Sequence, residues 1–271
     1  MDIYEEVRDF YLRYRGEKCL IGKSEEGRGL FAFFVGESKY PAGICQCAMH
    51  AREWITARLG LAQIARGLPF GGAWVIPLVN PDGALLCTQG LQSVSPPRRS
   101  FLRGLNGGED FALWKANARG VDLNVNFDAR WGTGVKNIRF PASENYIGTS
   151  PFCAAESAAL RDFTLRVRPQ FTVSYHTKGE EIYWKFHQPF FRRRRDFRLA
   201  RKLSALTGYP LRDAPRSAGG YKDWCIQRLK IPAFTVEVGQ DALSHPLGEE
   251  AVSDIVQKNA DALSVLAKEW I

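Results

Sequence analysis

Four residues in this chain have the type and setting that metal-assisted hydrolysis requires. His50 and Glu53, in His50-Ala51-Arg52-Glu53, stand three apart where an apolar strand gives way to a helix, so their side chains project to one side. This spacing suits two metal ligands, although four residues that fix two positions also describe an acidic residue capping a first helical turn. His176 closes the apolar run Thr172-Val173-Ser174-Tyr175-His176, and Glu237 interrupts another, Phe234-Thr235-Val236-Glu237-Val238. A carboxylate buried without a partner is costly or takes up a proton, so something must compensate Glu237. One zinc ion on two imidazoles and one carboxylate keeps a coordination position open for water, as catalytic rather than structural sites do. The expectation is one Zn²⁺ per chain on His50, Glu53 and His176. Glu237 then takes the proton of the metal-activated water and returns it to the leaving amine.

The elements that must hold these residues follow from periodicity. Residues 1–15 place Ile3, Val7, Phe10, Tyr11 and Tyr14 at helical spacing. Apolar runs at 30–35 and 42–49, with a turn at Ser38-Lys39-Tyr40-Pro41 between them, predict neighbouring strands. Over 53–68 the apolar residues recur on one side, so a helix starts just after His50. A strand at 73–79 is stopped by a type I turn at Asn80-Pro81-Asp82-Gly83. Residues 170–176 and 231–238 read as buried strands, and 154–166, 189–206, 221–229 and 249–270 as helices. Residues 89–117 read as a surface loop. Alternating strands and helices predict an α/β fold: a single domain over 1–271 with a mixed, mostly parallel, twisted sheet covered by helices on both faces. Ligands of such sheets bind beyond the carboxyl ends of the strands.

With 45% hydrophobic and 24% charged residues, the composition is that of a globular protein and excludes the disordered and fibrous classes. The formal charge of +8 favours anionic partners and is densest at Arg192, Arg193, Arg194 and Arg195. That run falls in an amphipathic segment with Phe190, Phe191, Phe197, Leu199 and Leu203 as its apolar positions, so it reads as a solvated helix face. Without a zinc-finger or RNA-recognition signature, no nucleic-acid partner is expected. No apolar stretch is long enough for a membrane span, and the first residues lack a secretory leader, so a cytoplasmic location is expected. The six cysteines show no C-x-x-C spacing and read as free, mostly buried thiols.

Six ordered motifs carry a more specific resemblance. His50-Ala51-Arg52-Glu53-Trp54-Ile55-Thr56-Ala57, Asn80-Pro81-Asp82-Gly83, Gly120-Val121-Asp122-Leu123-Asn124, Tyr175-His176, Gly219-Gly220 before Asp223-Trp224, and Phe234-Thr235-Val236-Glu237 follow one another as in the zinc carboxypeptidases related to the pancreatic A and B enzymes. The resemblance implies His50, Glu53 and His176 as zinc ligands and Glu237 as the catalytic carboxylate. It also implies Asp122 as the residue that orients a zinc-bound imidazole, with Arg52 and Asn124 contacting substrate. For the cation that stabilises the oxyanion it offers Arg119, with Lys115 as the second candidate.

Three departures bear on specificity. The family's carboxylate-clamping arginine is replaced by Val125, which can neither donate a hydrogen bond nor carry charge. Its substrate-covering tyrosine is replaced by Pro215, with Tyr209 or Tyr221 as possible substitutes. The floor of its side-chain pocket is Lys222. Together with Lys178 in His176-Thr177-Lys178-Gly179-Glu180-Glu181, these departures resemble the bacterial branch that cleaves γ-D-glutamyl bonds to meso-diaminopimelate. The diamino acid would pair Lys222 through its carboxylate and Glu180 or Glu181 through its amino group. The expected function is therefore a zinc peptidase of murein-derived peptides. The alternatives are a general metallocarboxypeptidase or amidohydrolase with an unusual carboxylate clamp, and a non-catalytic, basic, zinc-containing binding protein.

Overall fold

The apolar runs become the strands of one eight-stranded sheet. The computed structural model describes residues 1–37 and 42–270; the turn expected at 38–41 lies outside them. The chain opens with α1 (Ile3–Arg13), capped where the Asp2 carboxylate accepts from Glu5 N at 2.8 Å. It continues through β1 (Lys18–Lys23), β2 (Gly29–Gly36) and β3 (Ala42–Gln46), then α2 (Thr56–Arg66) and β4 (Gly72–Ile76). Two helices follow, α3 (Pro81–Gln89) and α4 (Pro96–Asn106), before the long irregular stretch that leads to α5 (Ala155–Val167). The second half contains β5 (Phe171–Thr177), β6 (Glu181–Tyr183), α6 (Phe190–Thr207), β7 (Leu211–Arg212), α7 (Tyr221–Trp224) and β8 (Ala233–Val238). It ends with α8 (Val252–Asn259) and α9 (Ala262–Ala267).

The strand order is β1-β2-β4-β3-β5-β8-β6-β7. The centre, β4-β3-β5-β8, is parallel throughout, and antiparallel pairs join it to β2 and β6. All five residues of β3 and all seven of β5 are buried, as expected of strands covered on both faces. One core cluster gathers α1, α2, α6, α8 and α9 against the sheet, and a second gathers α5 and α7 on the other face. The α/β sheet with helices on both sides is thus the architecture the sequence predicts. Among the described residues, no helix is long and apolar enough to cross a membrane.

Several local expectations are corrected. Asn80-Pro81-Asp82-Gly83 begins α3 instead of closing a turn: Asn80 caps it by accepting from Gly83 N at 3.0 Å, and Pro81 occupies the first helical turn. The stretch 89–117 contains α4, again with proline at its start and ended by the left-handed Gly107. Residues 249–270 break into α8 and α9 in place of one helix. In α6 the buried side is formed by Leu199, Ala200 and Leu203, while Phe190 and Phe191 are 66% and 67% exposed and Phe197 is exposed as well. The β1 strand and the short β6 and β7 lie outside every strand read from the sequence.

Candidate metal centre

The centre forms at the carboxyl edge of the parallel strands. His50 follows β3 by four residues, at the start of a 3-10 turn over Ala51–Glu53 that carries Glu53 back toward it. His176 and Glu237 are the penultimate residues of β5 and β8, and the strand register places them directly opposite each other. Because neighbouring strands point paired residues to the same face, this register alone sets the carboxylate beside the imidazole.

The three ligand candidates converge tightly. His50 Nδ1 lies 2.9 Å from Glu53 Oε1, His176 Nδ1 lies 2.9 Å from Glu53 Oε2, and the two Nδ1 atoms are 3.0 Å apart. All three residues are buried. Two imidazole nitrogens and a carboxylate aimed at one point, away from water, form a donor set that suits zinc in both number and kind. Burial works against protonated His50, but Glu53 and Asp122 outweigh it and raise its pKa above the ordinary value. Burial likewise opposes ionisation of Glu53, yet the two imidazoles hold it well below the usual carboxylate range.

Behind His50 lies Asp122, fully buried. Its Oδ1 stands 3.3 Å from His50 Nε2 and its Oδ2 3.0 Å from Lys115 Nζ. The same carboxylate accepts from the backbone N–H groups of Asn124 and Asn145, at 3.1 and 3.0 Å. Burial would raise its pKa, but Lys115 and His50 hold it far below the ordinary value. Glu237 contrasts with it: the residue is half-buried, and its carboxyl is pushed up to about 7 by burial, with His176 opposing and Glu53 adding to the rise.

Lys115, not Arg119, is the cation brought to this centre. The backbone around it is tied to the 3-10 turn, with Ala51 N donating to Lys115 O at 3.1 Å and Arg52 N to Trp114 O at 2.9 Å. Asn80 adds a second tie, its Nδ2 donating to Met49 O at 3.2 Å and to Ala116 O at 3.1 Å. Arg119 lies beyond the buried Asn117 and turns outward to Glu25, 3.6 Å away. Of the two cations the sequence offers, the structure brings Lys115 to this centre and turns Arg119 away from it.

The remaining predicted residues have their polar groups engaged by neighbours in the fold. Arg52 donates to Leu113 O at 3.2 Å and faces Glu144 at 3.6 Å. Asn124 Oδ1 accepts from Tyr221 N at 3.1 Å. Lys178 pairs with Asp241 at 3.0 Å. Lys222 is buried, paired with the neighbouring Asp223 and 5.5 Å from the Phe186 ring centroid, so its charge is already compensated. Glu180 and Glu181 are likewise paired, with Lys258 at 2.7 Å and Arg212 at 2.9 Å. Neither suggested tyrosine reaches the cleft: Tyr209 is buried against Asn259, and the Tyr221 hydroxyl lies 2.9 Å from Thr164 Oγ1 inside the core. The sequence reading missed His245, whose Nδ1 is 3.5 Å from Thr177 Oγ1. It sits in an irregular segment after β8, where the only available signal was that the chain has four histidines in all.

A buried His-Glu-His donor set at the carboxyl edge of parallel strands, with a second carboxylate opposite His176, defines a metal-binding α/β protein. The chain belongs to the zinc carboxypeptidase family, whose model matches residues 72–262. That span includes His176 and Glu237, while His50 and Glu53 precede it. The chain is 30% identical over 223 residues to gamma-D-glutamyl-L-diamino acid endopeptidase 1 of Lysinibacillus sphaericus, a match covering 75% of this chain and 56% of that relative. Bovine thrombin-activatable fibrinolysis inhibitor shares the fold with a TM-score of 0.81 at 22% identity, over 99% of this chain and 96% of that one. The murein-tripeptide amidase MpaA from Escherichia coli O157 does so with a TM-score of 0.61 at 21% identity, over 96% and 95% of the two chains.

Proposed function

We propose that the chain is a zinc-dependent peptidase that hydrolyses the γ-D-glutamyl amide bond to a diamino acid in cell-wall-derived peptides. The observation that carries the hydrolytic part is the pairing of Glu237 with His176 across β5 and β8. A structural metal site has no use for a carboxylate held unliganded beside its ligands. The substrate part is supported by the relative from Lysinibacillus sphaericus, whose name specifies that bond. Val125 supports it too, because an aliphatic side chain cannot donate to the α-carboxylate of an ordinary C-terminal residue.

In this reading His50, Glu53 and His176 hold the ion, which supplies Lewis acidity toward water and the scissile carbonyl. Asp122 fixes the His50 ring through Nε2 and so directs Nδ1 inward. Glu237 carries a proton at its carboxylate, first as base and then as acid toward the leaving amine; a carboxyl near neutrality suits both tasks. Lys115, held beside Asp122, contributes positive charge where the carbonyl oxygen becomes negative. Replacing Glu237 with Gln is expected to lower turnover by about 10²–10⁴-fold while zinc content, measured by atomic absorption, stays at that of the parent. Turnover that survives the change would remove Glu237 from the mechanism.

A further inference from the structure

Next to Lys115 and Asn124 opens a cleft of ≈ 430 Å³, walled by segments 134–137 and 214–218 with Val125 between them. The walls are held together: Val135 N donates to Arg216 O at 3.3 Å, and Phe127 N to Gly219 O at 2.9 Å. Gly219, at φ +85°, lies so close to the 125 backbone that an added Cβ would come within 2.7 Å of Val125 O, so the second wall is seated directly on that residue. Three cations line the cleft, Lys115, Lys136 and Arg216, and no acidic residue does.

The charges of these cations are not equally spent. Lys115 is held in an ion pair with Asp122. The other cations singled out from the sequence are also paired, Arg52 with Glu144, Lys178 with Asp241 and Lys222 with Asp223. Lys136 and Arg216 are exposed and, among the described residues, make no side-chain hydrogen bond or ion pair. A concave, partly apolar wall focuses such uncompensated charge, and an arginine beside a lysine suits a planar carboxylate.

We propose that this cleft is a carboxylate subsite, in which Arg216 and Lys136 bind a carboxylate of the substrate next to the reacting bond. Recognition then comes from one cation on each wall and not from position 125 between them, whose valine provides only apolar contact. The inference rests on the peptidase reading above, and it names the chemistry that reading needs. L-Ala-γ-D-Glu-meso-diaminopimelate has three carboxylates, one on the glutamyl residue and two on the diamino acid, and any of them could be the one bound.

The test is calorimetric. Zinc-loaded Glu237→Gln protein is titrated with the tripeptide and with three analogues, each with one carboxylate blocked as an amide. The same four titrations are repeated after adding Arg216→Gln and Lys136→Gln, two exposed positions whose replacement leaves the core intact. The expected result is that one amide binds on the order of tenfold more weakly than the parent peptide, that the added substitutions weaken the parent to a similar degree, and that they abolish the penalty for that amide alone. Penalties that persist unchanged in the substituted protein, or parent binding unaffected by the substitutions, would overturn the subsite while leaving the peptidase reading standing. Failure of all four peptides to bind would overturn both.

Discussion

At the scale of single residues, the His-Glu-His donor set and the carboxylate opposite it were legible because each member breaks its surroundings. A His and a Glu follow one apolar strand, a His stands near the end of another, and a Glu interrupts a third. The cation at this centre was not legible in the same way. Residues 114–119 have no repeat, so periodicity gives no direction for Lys115 or Arg119; the backbone bonds from Ala51 and Arg52 decide it. Lys222 was legible as a residue and not as a charge, because its compensation by Asp223 depends on burial. Asp122 is where the residue-scale account is most exposed to test. Its carboxylate serves His50 and Lys115 at once, so Asp122→Asn removes the charge that orients the ring and leaves a buried ammonium without its partner. Zinc affinity, measured by competition with a chromophoric chelator, should fall about 10–100-fold. An unchanged affinity would mean that the 3.3 Å approach to His50 has no bearing on the metal.

At the scale of elements, pattern succeeded where a strand is buried on both faces and failed where capping chemistry decides. Asn80-Pro81 looks like a turn, and Ser95-Pro96 falls in a stretch that reads as a loop, because the first turn of a helix and a type I turn share their early backbone angles, and the local string does not tell whether the chain continues to coil. The exposed Phe190 and Phe191 show the converse failure, since their periodicity is helical but the helix turns its Leu199 and Leu203 side to the sheet. Elements are also joined by buried polar groups that no motif announces. Glu156, in the first turn of α5, is fully buried and accepts from Asn117 Nδ2 at 2.9 Å and Glu25 N at 3.2 Å. Burial, with Asp82 adding and the Asn117 bond opposing, pushes its carboxyl from an ordinary 4.5 up to about 8. Between those two values the folded chain holds a proton that the unfolded chain has released. Stability should therefore fall as pH rises through that window, with a slope from this group of up to about 1.4 kcal/mol per pH unit. Glu156→Gln lacks that slope, so denaturant unfolding at pH 5 and pH 8 should show the variant gaining on the parent at the higher pH. A parallel decline of the two proteins would contradict the buried, protonated state.

At the scale of the whole molecule, the alternation of strands and helices gave the layered fold, and the carboxyl edge of the parallel strands gave the site's location. The sequence could not supply the charge distribution around the cleft, because pairing of cations is a property of the folded surface. The proposed substrate choice belongs to this scale: it rests on a position 125 without charge and on two neighbouring walls that present Lys136 and Arg216 unpaired. The most direct test is mass spectrometry of the zinc-loaded protein incubated with L-Ala-γ-D-Glu-meso-diaminopimelate beside an ordinary tripeptide with a free C-terminus. The account predicts release of diaminopimelate from the first and an intact second peptide. Release of the C-terminal residue from the ordinary tripeptide, with the γ-D-glutamyl bond left whole, would contradict it.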